Sequence, residues 1–149
     1  MAKLHPYLHF INAKEALEYY VNVFGARIID HYPVPPSMAE QFGLVEEALE
    51  NSTMHAEFGI EGTRILCSDR MGHEGEFGQM MALLIDFDTD IQEEIEKMHT
   101  LWNRVVDSGT VSIRSPLTQQ FWGGWMGGLT DQYGVVWMIH AQPFSVIRQ

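Results

Sequence analysis

The chain has 149 residues, 46% hydrophobic and 19% charged, which suits one globular domain with a sizeable core or two small fused modules. Its formal charge of −11, with nine scattered Lys and Arg, argues against nucleic acid or an anionic membrane as partner, because phosphate contacts need basic side chains. A single cysteine, Cys67, excludes an internal disulfide framework and fits a reducing compartment.

No apolar run reaches the roughly 18 residues needed to span a bilayer, and MAKLHPYLHF lacks the apolar centre of a signal peptide. The expected location is the cytoplasm. Leu4 to Ile11 alternates and is rich in Tyr, Phe and Ile, which predicts a strand. Asn12 is a good N-cap, and Glu15 stands where it returns the bond of a capping box. Ala16, Leu17, Tyr20, Val23 and Phe24 then share one helical face, and Gly25 is the stop. Ala26 to Tyr32 predicts a second strand. Thr53 to Ile60 and Thr63 to Ser68 predict a hairpin turning at Glu61-Gly62.

The same order returns in the second half. Gln79 to Phe87 predicts a strand and Asp90 to Glu93 a capping box. Ile91, Ile95, Met98, Trp102 and Val105 line one helical face that ends at Gly109. Thr110 to Arg114 predicts a strand. Next comes FWGGWMGG, a Gly-rich loop carrying Trp122 and Trp125, and then a hairpin of Leu129 to Asp131 and Val135 to Ala141. Glycine lets a backbone approach closely and Trp brings a flat surface with one N–H donor, so this loop marks a pocket. Each half reads as strand, helix and three strands, a repeat of pattern with little residue identity.

Two segments are irregular. Residues 33–52 begin with Pro33, Pro35 and Pro36 and turn acidic; Ser37 to Glu40 is a capping-box pattern suited to a short helix. This segment reads as a solvated connector or as a lid. Arg70 to Gly78 carries three glycines and reads as a linker between modules of about 1–70 and 79–149.

At YLHFINAKEALEYYVNVF, MHAEFGIEGTRILCSD and the Phe121 to Ile139 stretch, the chain resembles the vicinal oxygen chelate superfamily, which includes glyoxalase I and bleomycin-resistance proteins, and within it the PhnB-like branch. The resemblance covers nearly the whole chain. It implies an α+β fold of two βαβββ modules, glyoxalase/bleomycin resistance-like, forming a single domain over 1–149. It also implies curved sheets with helices outside and a cavity inside, and a homodimer. The branch carries a demethylubiquinone methyltransferase label as well, yet no Gly-x-Gly loop here follows a strand and opens a helix.

Metal-using members of the superfamily place one ligand on each of four strands. Carried over, those positions fall on His5, Glu57, Met80 and Met138. A thioether is a weak ligand for the zinc, nickel, manganese or iron of such sites. No cofactor is therefore expected; a divalent metal on a rearranged His5, His55, Glu57 site is the alternative. His55 and Glu57 share one strand face with Cα atoms about 6.5 Å apart. They read more simply as pocket polar groups paired with each other or with an arginine.

Strand parity supports a pocket. His5, Tyr7 and His9 face one way, while Leu4, Pro6, Leu8 and Phe10 face the helices. His55 and Glu57 oppose Met54, Ala56, Phe58 and Ile60. Val136, Met138 and His140 oppose Val135, Trp137 and Ile139. The expected function is binding of a small, partly aromatic molecule by His5, Tyr7, His55, Glu57, Trp122, Trp125 and Met138, without a tightly bound metal. Its use would be sequestration, or metal-free chemistry with Glu57 as base and His55 as its partner. Two further readings are a metal-dependent lyase, isomerase or dioxygenase of the superfamily, and a dimer whose ligand role has been lost. The expected partners are the small molecule and a second copy of the chain.

Overall fold

The computed structural model describes residues 1–147. Two compact units meet the eye along the chain, Met1–Gly75 and Glu76–Gln149. Each is built as strand, helix and three strands on one four-stranded sheet.

The first unit comprises β1 (Tyr7–Phe10), α1 (Ala13–Phe24), β2 (Arg27–Tyr32), β3 (His55–Ile60) and β4 (Thr63–Asp69). The strand order is β1-β4-β3-β2, with β1 parallel to β4 and the remaining pairs antiparallel. α1 begins where Asn12 Oδ1 accepts the Glu15 N–H at 3.2 Å, and it ends at Gly25, whose φ of 70° is left-handed. Asp69 adds a second anchor at that end: its two oxygens accept the N–H groups of Ala13 at 2.8 Å and Thr53 at 2.9 Å. One carboxylate thus ties the helix start to the entry of β3.

The core lies between α1 and one face of this sheet. Leu8, Phe10, Ala56, Phe58, Ile60, Ile65 and Cys67 are all buried there with Leu17, Tyr20 and Phe24. Tyr20 lies parallel to Phe58 with centroids 5.1 Å apart. Each fully buried large apolar side chain stabilises the fold by about 1.5–3 kcal/mol relative to exposure. The opposite face carries Tyr7, His9, His55 and Glu57, so the period-2 alternation does separate an apolar face from a polar one.

The second unit comprises β5 (Leu83–Asp88), α2 (Gln92–Asp107), β6 (Ser112–Gln119), β7 (Trp125–Thr130), β8 (Val136–Gln142) and a last turn, α3 (Phe144–Ile147). Its order is β5-β8-β7-β6, with β5 parallel to β8. Ile85, Phe87, Trp137, Ile139 and Ala141 are buried with Met98, Leu101, Trp102 and Val105 of α2.

Several boundaries differ from the expectation, each for a physical reason. β1 begins at Tyr7, and Leu4 is fully exposed instead of facing a helix. β5 begins at Leu83, which leaves Met80 and Met81 exposed in the preceding loop. α2 has no side-chain cap. Asp90 turns instead to the Ser145 hydroxyl at 2.9 Å, and Ile91 is exposed at the cap position. Leu101, missed in the helical face, is buried. In the 33–52 segment a single 3₁₀ turn forms at Pro36–Met38 and a second at Glu46–Asn51, pinned by buried Val34 and Leu49.

The largest difference is in the Gly-rich stretch. Trp125–Thr130 is a strand, with Gly127 and Gly128 inside it. A methyl group at Gly127 would lie 2.9 Å from Leu117 Cα and 2.9 Å from the Trp102 ring. The glycine is there to let α2 seat its tryptophan against the sheet, a packing need that looks like a loop signal in sequence.

Candidate functional site

The polar face of the first unit holds a continuous hydrogen-bonded chain. Arg64 Nε donates to Glu57 Oε2 at 2.8 Å and Arg64 Nη2 to Glu57 Oε1 at 2.7 Å. His55 Nε2 lies 3.3 Å from Glu57 Oε1, and His55 Nδ1 lies 3.0 Å from the Tyr7 hydroxyl. A neutral imidazole satisfies both contacts in one way only. Nε2–H donates to the carboxylate, and Nδ1 accepts the Tyr7 O–H. Tyr7 and Tyr32 remain exposed, and Tyr32 lies nearly parallel to the His55 ring at 6.5 Å.

The electrostatics of this chain centre on Glu57. Hydrogen bonds from Arg64 and then from His55 hold the Glu57 carboxyl down to about 2. A carboxylate so stabilised is a poor proton acceptor near neutral pH. This tells against the expectation of Glu57 as the base; its carboxylate is held by Arg64 and contacts His55, whose Nδ1 is taken by the Tyr7 hydroxyl.

His5 is half-buried beyond the end of β1, with Nδ1 3.3 Å from the Arg64 carbonyl oxygen. It therefore does not join His55 and Glu57 in a three-ligand cluster. Among the described residues, no three His, Cys, Asp or Glu side chains converge on a point suited to one metal ion. Of the four inherited ligand positions, Met80 is exposed outside any strand, and Met138 offers a thioether on β8.

Two further histidines extend the same face. His9 Nδ1 meets Ser68 Oγ at 3.0 Å, and the His9 ring stacks on His73 with centroids 4.3 Å apart. Burial, and then the neighbouring His73, push the His9 pKa down. On the other side of β4, Cys67 is buried among the core residues, and burial raises its thiol to about 12. It is no nucleophile. A separate cleft of about 460 Å³ lies between the 33–52 segment and the end of β4, lined by Ile11, Gln41, Phe42, Leu44, Arg70 and Met71.

In the second unit Trp122 and Trp125 part company. Trp125 pairs in register with buried Ala141 and meets His99 of α2 edge-on at 4.8 Å. It packs on the helix-covered face and lines no open surface with Met138. Trp122 sits at the β6–β7 turn and folds over His140, rings 5.4 Å apart and 27° from parallel. His140 Nδ1 is 2.7 Å from Asp86 Oδ1. Sequence reading placed His140 on the inner face and missed Asp86. The signal was available: Asp86 alternates with Ile85 and Phe87, so it had to share a face with His140 on the parallel neighbour.

Two βαβββ units, each with one apolar and one polar sheet face, define the glyoxalase/bleomycin resistance/dioxygenase class of folds. A solved member of that superfamily from Sphaerobacter thermophilus superposes with a TM-score of 0.64 at 14% identity, covering 95% of this chain and 98% of the other. Within the class, the chain belongs to the PhnB-like family, whose model, described as 3-demethylubiquinone-9 3-methyltransferase, matches residues 2–140. It is 26% identical over 148 residues to Protein YjdN of Escherichia coli, covering 92% of this chain and 93% of that one. A PhnB protein from Bacillus cereus is similar in structure, with a TM-score of 0.62 and 24% identity over 95% of this chain and all of the other.

Proposed function

We propose that this chain is a small-molecule-binding protein of the PhnB-like family that works without a resident catalytic metal, as a cytoplasmic homodimer. The observation that carries the reading is the Tyr7–His55–Glu57–Arg64 chain of hydrogen bonds on the open sheet face. It presents a phenol, an imidazole and aromatic ring faces outward, while its carboxylate is neutralised from behind. Such a surface suits a small planar ligand with at least one hydrogen-bonding group. The second unit, taken by itself, offers apolar surface in Trp122 over His140 and in the soft thioether of Met138 on the same strand face.

The donor set does not fit a tightly held divalent ion. Both Glu57 oxygens are claimed by a guanidinium, and a cation would have to displace it. Two of the four inherited positions are methionines, and His5 stands apart. Methyl transfer is no part of this reading either. β1 enters α1 through Ile11 and Asn12, with no glycine loop to cradle a nucleotide.

Homodimer formation is supported by the open edges β2 and β6, whose residues are mostly exposed. No helix among the described residues is long and apolar enough to cross a membrane. Native mass spectrometry of the purified protein tests the whole reading. The expected spectrum shows a dimer, well under one metal per chain, and an organic adduct that Tyr7→Phe or His55→Gln weakens. A stoichiometric transition metal on His55 and Glu57 would overturn the metal-free reading and favour a lyase, isomerase or dioxygenase.

A further inference from the structure

The parallel strand pair of each unit carries an imidazole hydrogen bond across its open face. In the first unit His9 of β1 stands opposite Ser68 of β4; in the second, Asp86 of β5 stands opposite His140 of β8. Each imidazole is also covered by a second ring, His73 over His9 and Trp122 over His140. Only the second pair joins an imidazole to a carboxylate.

We infer that Asp86 and His140, covered by Trp122, form a proton-accepting site for a small aromatic hydroxyl compound, a phenol-type weak acid. This rests on the small-molecule reading above and adds to it a second residue pair and a ligand class. In the neutral ring, Nδ1–H donates to Asp86 Oδ1 at 2.7 Å, which fixes the tautomer and leaves the lone pair on Nε2. Among the described residues Nε2 has no protein partner, and no polar side-chain atom that is buried from solvent lacks one. Nε2 is therefore open to a ligand, although the side chain as a whole is only 13% exposed.

The surroundings select the ligand. Met126 stands opposite His140 on β7, Met138 precedes it by two on β8, and Leu84 precedes Asp86 by two on β5. All share the His140 face by strand parity, giving a soft apolar floor beside one basic nitrogen. Among the described residues, Asp86 is the carboxylate paired with the ring, so a positive charge on the ring would face a negative one. Trp122 is held in place by local shape. Any side chain at Gly124 would run into the Trp122 ring and the Ala141 carbonyl, so the glycine is what lets the ring fold back. Trp122 and Gly124 are thereby accounted for as a cover over His140.

The step is a simple proton transfer. The ligand O–H bond breaks, its proton goes to His140 Nε2, and the electron pair stays on the ligand oxygen. The product is a phenolate beside an imidazolium whose other nitrogen still donates to Asp86. No other reactant is needed.

The probe is 4-nitrophenol, whose phenolate absorbs visibly, at a pH where the free compound is mostly protonated. Binding is read by calorimetry and proton transfer by absorbance, with circular dichroism confirming the fold of each variant. The wild type should bind and show the phenolate band. His140→Gln should remove the band, and Asp86→Asn should cut the transferred fraction about tenfold, because the ring loses the carboxylate that holds its tautomer. Binding without a phenolate band, or a band that survives in His140→Gln, overturns the inference and leaves small-molecule binding standing. A band lost in His55→Gln and kept in His140→Gln assigns the proton to the first unit and likewise overturns it. No binding of the phenol at all rejects the ligand class, while the organic adduct sought by mass spectrometry decides the broader reading separately.

Discussion

Arg64 reaches Glu57 along a diagonal of the sheet, not straight across it. Glu57 stands opposite Leu66, and Arg64 stands opposite Gly59, two residues further along β3. The guanidinium leans back along the strand to Glu57, donating from Nε at 2.8 Å and from Nη2 at 2.7 Å. Diagonal neighbours of this kind lie within reach of long side chains. A methyl at Gly59 would meet the Thr63 carbonyl oxygen at 2.9 Å, so the position resists replacement.

The first prediction concerns acid stability. The Glu57 carboxyl is lowered from 4.5 to about 2 by Arg64 and His55. A lowered carboxylate contributes stability above its unfolded value and loses it as pH falls toward the folded one. Between about pH 4.5 and pH 2 the wild type should therefore lose stability faster than Glu57→Gln. Urea midpoints across that range measure it, and parallel slopes for the two proteins would be the contrary result.

His9 titrates in the opposite chemical sense but with the same consequence. Its pKa is lowered from 6.5 because burial and His73 both disfavour the imidazolium. The unfolded chain takes up the proton first, so stability is present above 6.5 and declines as pH drops below it. His31, held by the Thr53 hydroxyl at 2.8 Å and also lowered chiefly by burial, adds to the same decline. Replacing His9 with Asn should flatten the thermal midpoint's dependence on pH just below neutrality; an unchanged dependence would show that the stacked pair plays no part.

Gly124→Ala should destabilise by about 1–3 kcal/mol, as overpacking does. The added methyl runs into Trp122 and the Ala141 carbonyl, and the aromatic ring must lift from His140. The variant should also bring the His140 ring signals out of the indole's ring-current shift in a proton spectrum. Stability within error of wild type would mean that Trp122 does not rest where the structure has it.

Asp131 holds the closing turn of the second unit. Its Oδ1 accepts the N–H groups of Tyr133 and Val135, and its Oδ2 accepts the indole N–H of Trp137 at 2.8 Å. Asp131 is 5% exposed and Trp137 1%. Removing the carboxylate takes away the acceptor of the Val135 N–H and of the Trp137 indole N–H in a buried site, at about 1–3 kcal/mol for each. Asp131→Ala should thus lower unfolding free energy by about 3–5 kcal/mol, near the upper end for one substitution. Denaturant titration reads this directly.

Cys67 should resist alkylation in the folded protein. Its thiol is raised to about 12 by burial, and the reactive thiolate is correspondingly scarce. Iodoacetamide should label it only at the rate of unfolding, and rapid labelling under native conditions would contradict its burial.

The amino-acid sequence was enough to reveal the two βαβββ units and the faces of their strands. Asn12 and Gly25 mark the ends of α1 by local chemistry, and alternation along β3 and β8 separates Glu57 and His140 from the core by period alone. His55 and Glu57 could be placed on one face because side chains two apart on a strand always share one. What alternation could not supply was the partner. Arg64 was unremarkable until the antiparallel register set it diagonally across from Glu57, and that contact is what holds the Glu57 carboxyl low. Asp86 likewise acquired meaning only when β5 and β8 aligned it with His140. The tryptophans show the limit most plainly. Trp122 and Trp125 stand three residues apart among glycines, yet one covers His140 and the other packs against α2. The sequence reads Gly127 as loop because propensity is local, whereas the need for it comes from Trp102 on a helix more than twenty residues away, and only tertiary packing brings the two into contact.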